Sequence, residues 1–234
     1  MNLFVEFLAW AFGPRNRKDV PPMMTPAQIG PLTVSPDALE LITESEISGR
    51  SNYEKTLHRP TWPGAASGVT IGIGYDVGYN TPSQVRQDWG ERSLPDAHLE
   101  SLTRAAGVKG EKARSLAKSL NYISIPWDKA KAVFEQCTLP RFAKLTAETF
   151  PGVDKLHPHI QGALLSLIFN RGNSLNGDRR REMRAIREHI IAGRIDRIPA
   201  EFRKMKRLWE GQNLKGLLVR RDAEADLVEL GLAS

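Results

Sequence analysis

Apolar residues recur at helical spacing along most of this chain and predict a predominantly helical protein. Ser35, Pro36 and Asp37 supply an N-cap, a proline at the first helical position and an acid in the first turn. A helix therefore begins there and continues to about Ile47. Further helices are predicted at about 82–89, 96–105, 109–118, 127–148, 158–170, 178–192, 196–209 and 216–230. The segment at 158–170 is almost fully apolar and is expected to lie at the centre of the bundle.

One short stretch, SGVTIGIGYD at residues 67–76, alternates in the way that a strand does. A strand is predicted at Val69–Tyr75, with Thr70, Gly72 and Gly74 on one face and Asp76 on the same face if the strand continues. A glycine face on a strand is typical of close approach by a ligand or another backbone, and a structural bulge is the alternative. Together the patterns predict an α+β protein, predominantly helical, with a small β-hairpin region.

Prolines separate the N-terminal region from the rest of the chain. Five of them lie within residues 13–34 and are expected to prevent any regular element there, which predicts a linker or an extended strap. Residues 1–12 are mostly apolar, but basic residues follow this run instead of preceding it, and it is too short to span a bilayer. We therefore predict an apolar leader and Pro-rich linker over 1–34 and one compact domain over 35–234. A weak membrane or delivery contact through the leader is an alternative to a structural role.

Composition narrows the class of protein only slightly. With 41% hydrophobic and 26% charged residues the chain resembles a soluble globular protein. Its net charge of +6 favours polyanions, among them bacterial cell wall, nucleic acid and acidic lipid. Cys137 is the only cysteine, which excludes an internal disulfide framework and a cysteine metal cluster, and we expect it to be a structural thiol.

Glu46 is the strongest candidate for chemistry from its position on the first helix. At about 100° per residue it falls at the edge of the apolar arc, whereas Glu40 and Glu44 share the opposite face. A carboxyl group beside apolar neighbours has its charged form disfavoured, as a general acid requires. The alternative is a glutamate of the last turn that leans into solvent. The apolar arc consists of Ala38, Leu41, Ile42 and Ser45.

Three segments in order resemble the phage-type lysozyme family. A helical Glu46 precedes an aromatic residue, Tyr53, and then the strand Thr70-Ile71-Gly72-Ile73-Gly74, which matches the family pattern T-I-G-[IY]-G. The segment ALLSLIFNRG at 163–172 resembles the family's central helix, and GLLVRRDAEADL at 216–227 resembles its closing helix.

This resemblance implies a bilobal lysozyme-like fold that cleaves the bond between N-acetylmuramic acid and N-acetylglucosamine in peptidoglycan, with inversion. It implies that Glu46 is the acid and that Thr70 lies near the attacking water. It implies no cofactor, no metal and no nucleic-acid partner, and we expect a monomer that is made in the cytoplasm and acts on the bacterial cell wall. The substrate-binding residues expected on the same basis are Tyr53, Gly72, Gly74, Tyr75 and Asn170.

The chain departs from the family at the second carboxylate, because Lys55 occupies the expected position. Asp76 and Glu54 are the two candidates, and we favour Asp76 because it is expected to share the Thr70 face. A lytic transglycosylase needs only one acid–base carboxyl group, so that activity stays open, as does hydrolysis of chitin or chitosan. A non-catalytic glycan-binding module is the alternative outside enzymes. A phage endolysin, a wall-degrading part of a phage particle and a secreted effector would each use such a domain.

The other polar clusters are expected to be structural. Arginines near residues 179–187 and at Arg220–Arg221 predict solvated or acid-paired surfaces, with an anion-attracting groove rim as the alternative. His157 and His159 flank Pro158 without an acid cluster, so no metal site is predicted. Four tryptophans are more typical of packing than of sugar stacking: Trp62, Trp89, Trp127 and Trp209.

Overall fold

The computed structural model describes residues 25–47, 49–90, 94–212 and 214–234. The protein is predominantly helical with two small antiparallel hairpins, so the predicted α+β, mainly helical class is confirmed. The chain divides into two compact units, one that joins the segment up to Ser45 with Pro140–Ser234 and one that comprises Glu46–Leu139. The predicted leader at residues 1–12 lies outside the described residues.

The regular elements follow one another along the chain as short strands and helices. The strands are β1 (Ala27–Ile29), β2 (Leu32–Val34), β3 (Thr70–Ile71) and β4 (Tyr75–Asp76). The helices are α1 (Pro36–Ile47), α2 (Arg50–Asn52), α3 (Pro82–Gly90), α4 (Asp96–Arg104), α5 (Glu111–Ser119), α6 (Trp127–Val133), α7 (Leu139–Thr149), α8 (Pro158–Arg171), α9 (Arg181–Ile191), α10 (Ile198–Lys204) and α11 (Lys215–Leu232). Short π-helical turns lie at Tyr53–Leu57 and Phe134–Thr138, and 3-10 turns at Val77–Tyr79, Val153–Lys155, Asp178–Arg180, Ile195–Arg197 and Met205–Leu208.

The first unit contains a hairpin where the sequence predicts none. Strands β1 and β2 pair antiparallel around a turn at Gly30, whose φ is +55°, and the Thr33 N–H donates to Gln161 Oε1 at 2.8 Å. The prediction that prolines prevent regular structure is therefore wrong for this segment. Pro26 precedes β1 and Pro31 occupies the turn, so neither takes a position where the ladder needs a backbone donor.

Helix α8 forms the apolar core of the same unit. Pro158 occupies its first turn, His157 caps it, and an unbroken buried run extends from Ile160 to Ile168. Gly162 permits close contact with α1, because a Cβ added there would lie 2.1 Å from the Ala38 Cβ. The buried run is what we expected of a central helix.

The second unit contains hairpin β3–β4, and this hairpin corrects the predicted strand at Val69–Tyr75. The chain reverses at Gly72 and Gly74, whose φ values are +57° and +67°, so these two glycines do not line one strand face. A Cβ on Gly72 would lie 2.8 Å from Cη2 of the buried Trp89. Close approach at Gly72 is therefore by a packed side chain.

Two buried tyrosines hold the core of the second unit together. The Tyr53 hydroxyl donates to the Ile125 carbonyl at 2.9 Å, and burial raises the pKa of this phenol well above its usual range. The Tyr75 hydroxyl donates to Asp88 Oδ2 at 2.7 Å, and its ring packs edge-on against Trp89.

Across the described ranges, no helix has the length and apolar character that crossing a membrane requires.

Candidate active site

Glu46 lies half-buried in the last turn of α1, next to a capped helix end. The Asn52 side chain donates to the Ile47 carbonyl at 2.7 Å and so satisfies one of the carbonyl groups left open at a helix C-terminus. Gly49 adopts a φ of +89°, which turns the chain away from the helix. The predicted helix end is confirmed, and the cap fixes the backbone beside this carboxyl group.

Thr70 lies between two neighbouring chain segments. Thr61 and Thr70 exchange backbone hydrogen bonds of 2.9 and 2.8 Å, and Asp76 is the partner of Thr70 across β3–β4. The half-buried Thr70 side chain makes no hydrogen bond to the residues that the structure describes. These backbone contacts fix the position of Thr70. Its hydroxyl can accept a hydrogen bond from, or donate one to, a water or a sugar hydroxyl.

Asp76 shares a face with Thr70, as we expected, but as its cross-strand partner and not as a neighbour on one strand. Its carboxylate is engaged by the backbone: Gly78 N–H donates to Oδ1 at 2.9 Å, and Gly68 N–H lies 3.1 Å from Oδ1 and 3.0 Å from Oδ2. Asp76 thereby caps the 3-10 turn that follows β4. These contacts favour a positioning role over that of a base.

The chain is packed so closely around Asp76 that only glycine fits at positions 68 and 78. A Cβ on Gly68 would lie 2.3 Å from Asp76 Oδ1, and a Cβ on Gly78 would lie 2.5 Å from the Val108 carbonyl oxygen. Sequence reasoning missed both glycines. Their spacing on either side of TIGIGYD is the signal that could have indicated them.

We predict that Asp76→Asn destabilises the protein by about 1.5–3 kcal/mol, because an amide cannot accept the same charge-assisted hydrogen bonds from both glycines. Urea unfolding measures this change. Asp128→Asn is the matched control, since Asp128 is 70% exposed. An Asp76→Asn protein with unchanged unfolding free energy and no catalytic activity would identify Asp76 as a catalytic base instead.

Glu54, the other candidate for the second carboxylate, is a surface residue. It lies on the π-helical turn, and its Oε1 accepts from Arg50 Nε at 2.8 Å with both side chains substantially exposed. An exposed pair of this kind contributes about 0–1 kcal/mol to stability. The neighbouring Lys55 is also exposed.

Most of the predicted substrate-binding residues are buried. Tyr53 and Tyr75 are buried and hydrogen-bonded, and Gly72 is buried against Trp89, so these three expectations are not supported by the surroundings of the residues. Gly74 is exposed in the turn of the hairpin. Asn170 belongs to the first unit, where its Oδ1 accepts from Arg221 Nη2 at 3.3 Å.

A buried ionic cluster in the first unit corrects the prediction of a basic surface at Arg220–Arg221. These side chains are 3% and 0% exposed, and Glu224 is 0% exposed. Glu224 Oε1 accepts from Arg221 at 2.8 Å and from the Ser166 hydroxyl at 2.6 Å. Burial lowers the pKa of Arg221 to about 10, and the Glu224 charge opposes that shift. The available signal was an acid placed four and three residues after the two arginines on the same helix.

The other arginine cluster is structural as well. Arg184 Nη1 donates to the carbonyls of Leu175 and Gly177 at 2.6 and 2.8 Å, and Arg171 Nη2 donates to the Arg179 carbonyl at 2.6 Å. These contacts hold the loop before α9, so the arginines are neither purely solvated nor purely acid-paired.

The tryptophans and potential metal ligands are placed as follows. Trp89 and Trp209 are buried, whereas Trp62 and Trp127 are half-buried. Within the ranges that the structure describes, no three His, Cys, Asp or Glu side chains are grouped in a way that could hold a metal ion.

Residues 43–212 match one protein family, described as Domain of unknown function (DUF8812). The chain belongs to this family. The DUF8812 segment covers well over half of the chain and includes Glu46, Thr70, Asp76 and Asn170. It excludes β1, β2 and the whole of α11. Among curated proteins, none matches the chain.

Proposed function

We propose that this DUF8812 protein is a peptidoglycan hydrolase with a lysozyme-like fold, which cleaves between N-acetylmuramic acid and N-acetylglucosamine. One observation carries the proposal: a half-buried glutamate on a capped helix end and a short hairpin bearing Thr70 belong to the same compact unit, Glu46–Leu139. The sequence resemblance to phage-type lysozymes adds support. On this proposal the protein acts on the bacterial cell wall after synthesis in the cytoplasm.

In the proposed reaction Glu46 is the general acid. Its proton passes to the glycosidic oxygen as the bond from that oxygen to the anomeric carbon breaks, through an oxocarbenium-like transition state. A water held by the Thr70 hydroxyl adds to the anomeric carbon and then releases its proton to solvent. Asp76 fixes the hairpin through the amides of Gly68 and Gly78, so we assign it to positioning.

A lytic transglycosylase is the second candidate, and the state of the two other carboxylates favours it. Asp76 is engaged by backbone amides, and Glu54 is exposed and paired with Arg50. Glu46 alone would suffice if it protonated the glycosidic oxygen as that bond broke, and its carboxylate then took the proton of the C6 hydroxyl as the C6 oxygen bonded to the anomeric carbon and formed a 1,6-anhydro end. Chitin or chitosan hydrolysis and a non-catalytic glycan-binding module are further alternatives.

Digestion of purified peptidoglycan in ¹⁸O-labelled water distinguishes these activities. We expect products with one ¹⁸O at each new reducing end by mass spectrometry, because the attacking water supplies that oxygen. Products with 1,6-anhydro ends and no label would instead assign a transglycosylase. An intact polymer that still retains the protein would leave only the glycan-binding module, and a chitin digest run in parallel tests the neutral substrate.

A further inference from the structure

Two aromatic side chains in the second unit lie beneath cationic groups. The Lys109 Nζ is 3.6 Å from the centroid of the Tyr79 ring, and the Arg114 guanidinium is 5.5 Å from that of Trp62. Tyr79 is 64% exposed and Trp62 is half-buried. We call these four residues the Trp62–Tyr79 surface.

One loop holds both aromatic rings in place. The Tyr79 hydroxyl donates to the Ala66 carbonyl at 3.3 Å, and the Trp62 indole N–H donates to the Ser67 carbonyl at 3.1 Å. Within that loop Ala65 adopts a φ of +48°, a conformation that non-glycine residues rarely take and that needs support from its surroundings. The rings are therefore ordered parts of the surface and not loosely attached side chains.

The charge of this region is strongly positive. Residues 109–118 carry four basic side chains and one acidic one, and all five are exposed. Arg114 pairs loosely with that acid, Glu111, at 3.3 Å, whereas Lys109 has no carboxylate partner in the part of the chain that the structure describes. A surface with more positive than negative charge attracts anionic ligands.

The Trp62–Tyr79 surface is continuous with the proposed site. Trp62 follows Thr61, whose backbone pairs with Thr70, and Tyr79 lies in the turn that Asp76 caps. Gly68, which Asp76 also holds, forms a bridge with Lys109. The same hydrogen bonds thus order the Thr70 hairpin and this surface.

We propose that the Trp62–Tyr79 surface binds the carboxylate-bearing part of a peptidoglycan strand, next to the sugars that are cleaved. Lys109 and Arg114 contact carboxylates of the muramyl lactyl group or stem peptide, and the exposed ring of Tyr79 packs against an apolar sugar face. The proposal rests on the proposed function, because it names the charged substrate of the same unit. Peptidoglycan is favoured over nucleic acid because the surface continues into the Thr70 hairpin of the proposed site.

Binding is measured with the Glu46→Gln protein, so that the substrate is not consumed, on soluble peptidoglycan fragments and on chitin oligosaccharides. Chitin offers similar sugars without carboxylates. We expect Lys109→Ala with Arg114→Ala to weaken binding to peptidoglycan about tenfold, as the loss of two exposed charge contacts predicts, and to leave chitin binding unchanged. Lys112→Ala with Lys118→Ala is the matched control, because it removes the same charge from the same segment, and it should change binding less than about twofold.

A second pair of variants tests the aromatic part. Tyr79→Ala should weaken binding to both glycans, whereas Tyr122→Ala should not, although Tyr122 is 58% exposed in the same unit. Equal losses from the two pairs of basic residues would overturn the proposal in favour of general charge attraction. An equal loss on chitin would overturn it as well, because the basic residues would then not act through carboxylates. Tighter binding to a single-stranded oligonucleotide that the same substitutions abolish would overturn it in favour of nucleic acid.

The failure of this inference is distinguishable from the failure of the proposed function. If the wild-type protein releases labelled reducing ends and the Lys109→Ala, Arg114→Ala protein does so at an unchanged KM, the function stands and this inference is wrong. If the wild-type protein cleaves no glycosidic bond but binds peptidoglycan through these residues, the surface stands and the hydrolase proposal is wrong.

Discussion

Glu46→Gln is expected to lower the rate of glycan cleavage by about 10²–10⁴-fold while the fold stays intact. Glutamine has nearly the same shape and can still hydrogen-bond, but it cannot give a proton to the glycosidic oxygen. The release of reducing ends from peptidoglycan measures the rate, and circular dichroism and urea unfolding measure the fold.

Glu54→Gln is the matched control for this loss. It removes a carboxylate of the same compact unit, but one that is exposed and pairs with Arg50. We expect it to retain activity within about twofold, because an exposed ion pair contributes little. If both variants kept nearly full activity, neither carboxylate would be the acid. If only Glu54→Gln were inactive, the two assignments would have to be exchanged.

Glu224→Gln is expected to destabilise the protein by about 3–5 kcal/mol, because it removes one charge of a buried ion pair and leaves the other uncompensated. Arg221 is 0% exposed and donates to Glu224 Oε1 at 2.8 Å. An arginine does not release its proton at neutral pH, so the substituted protein must keep the buried positive charge. Urea unfolding gives the free energy, with the midpoint and the slope reported separately.

The control for this substitution is Glu229→Gln on the same helix. Glu229 is 51% exposed and pairs with Arg203 at the surface. Its loss should therefore cost less than about 1 kcal/mol. Equal effects of the two substitutions would mean that the Glu224 pair is worth no more than a surface pair. Replacement of Ser166 by alanine should fall between them, since its hydroxyl donates to Glu224 but carries no charge.

The hydrophobic pattern predicted the helices well because burial on one face determines them. The apolar run at Ile160–Ile168 and the proline and acid at Pro36 and Asp37 each correspond to an observed helix. The predicted helix at 127–148 is also present, with a π-helical turn at Phe134–Thr138 that spacing alone does not indicate.

The failures come from features that depend on contacts distant in sequence. Alternation around Gly72 and Gly74 resembles a strand, yet positive φ at both glycines makes a turn. Pro31 suggested a linker, although a turn accommodates it. The charge of Arg220 suggested an exposed side chain. In the structure its guanidinium is buried and donates hydrogen bonds to Ser166 of α8 and Glu224 of α11.

The candidate site was predicted in part. The helix position of Glu46 follows from the sequence. Asp76 does lie beside Thr70, but as its partner across a hairpin, whereas the sequence predicted both on one strand. The backbone amides that engage Asp76 were missed, because they belong to no helix or strand pattern, and the glycines on either side of TIGIGYD were their sign in the sequence.

The position of Glu224 on α11 has a consequence for where the chain can be cut. The segment that defines the family ends at residue 212, before this helix begins at Lys215. A fragment that ends at residue 212 would lose Glu224, the only carboxylate to which the described hydrogen bonds connect the Ser166 hydroxyl. It would also expose the face of α8 at Ile160, which packs near Gly231. The end of the family segment is therefore not a folding boundary, and α11 must accompany the segment in any shortened version of this protein.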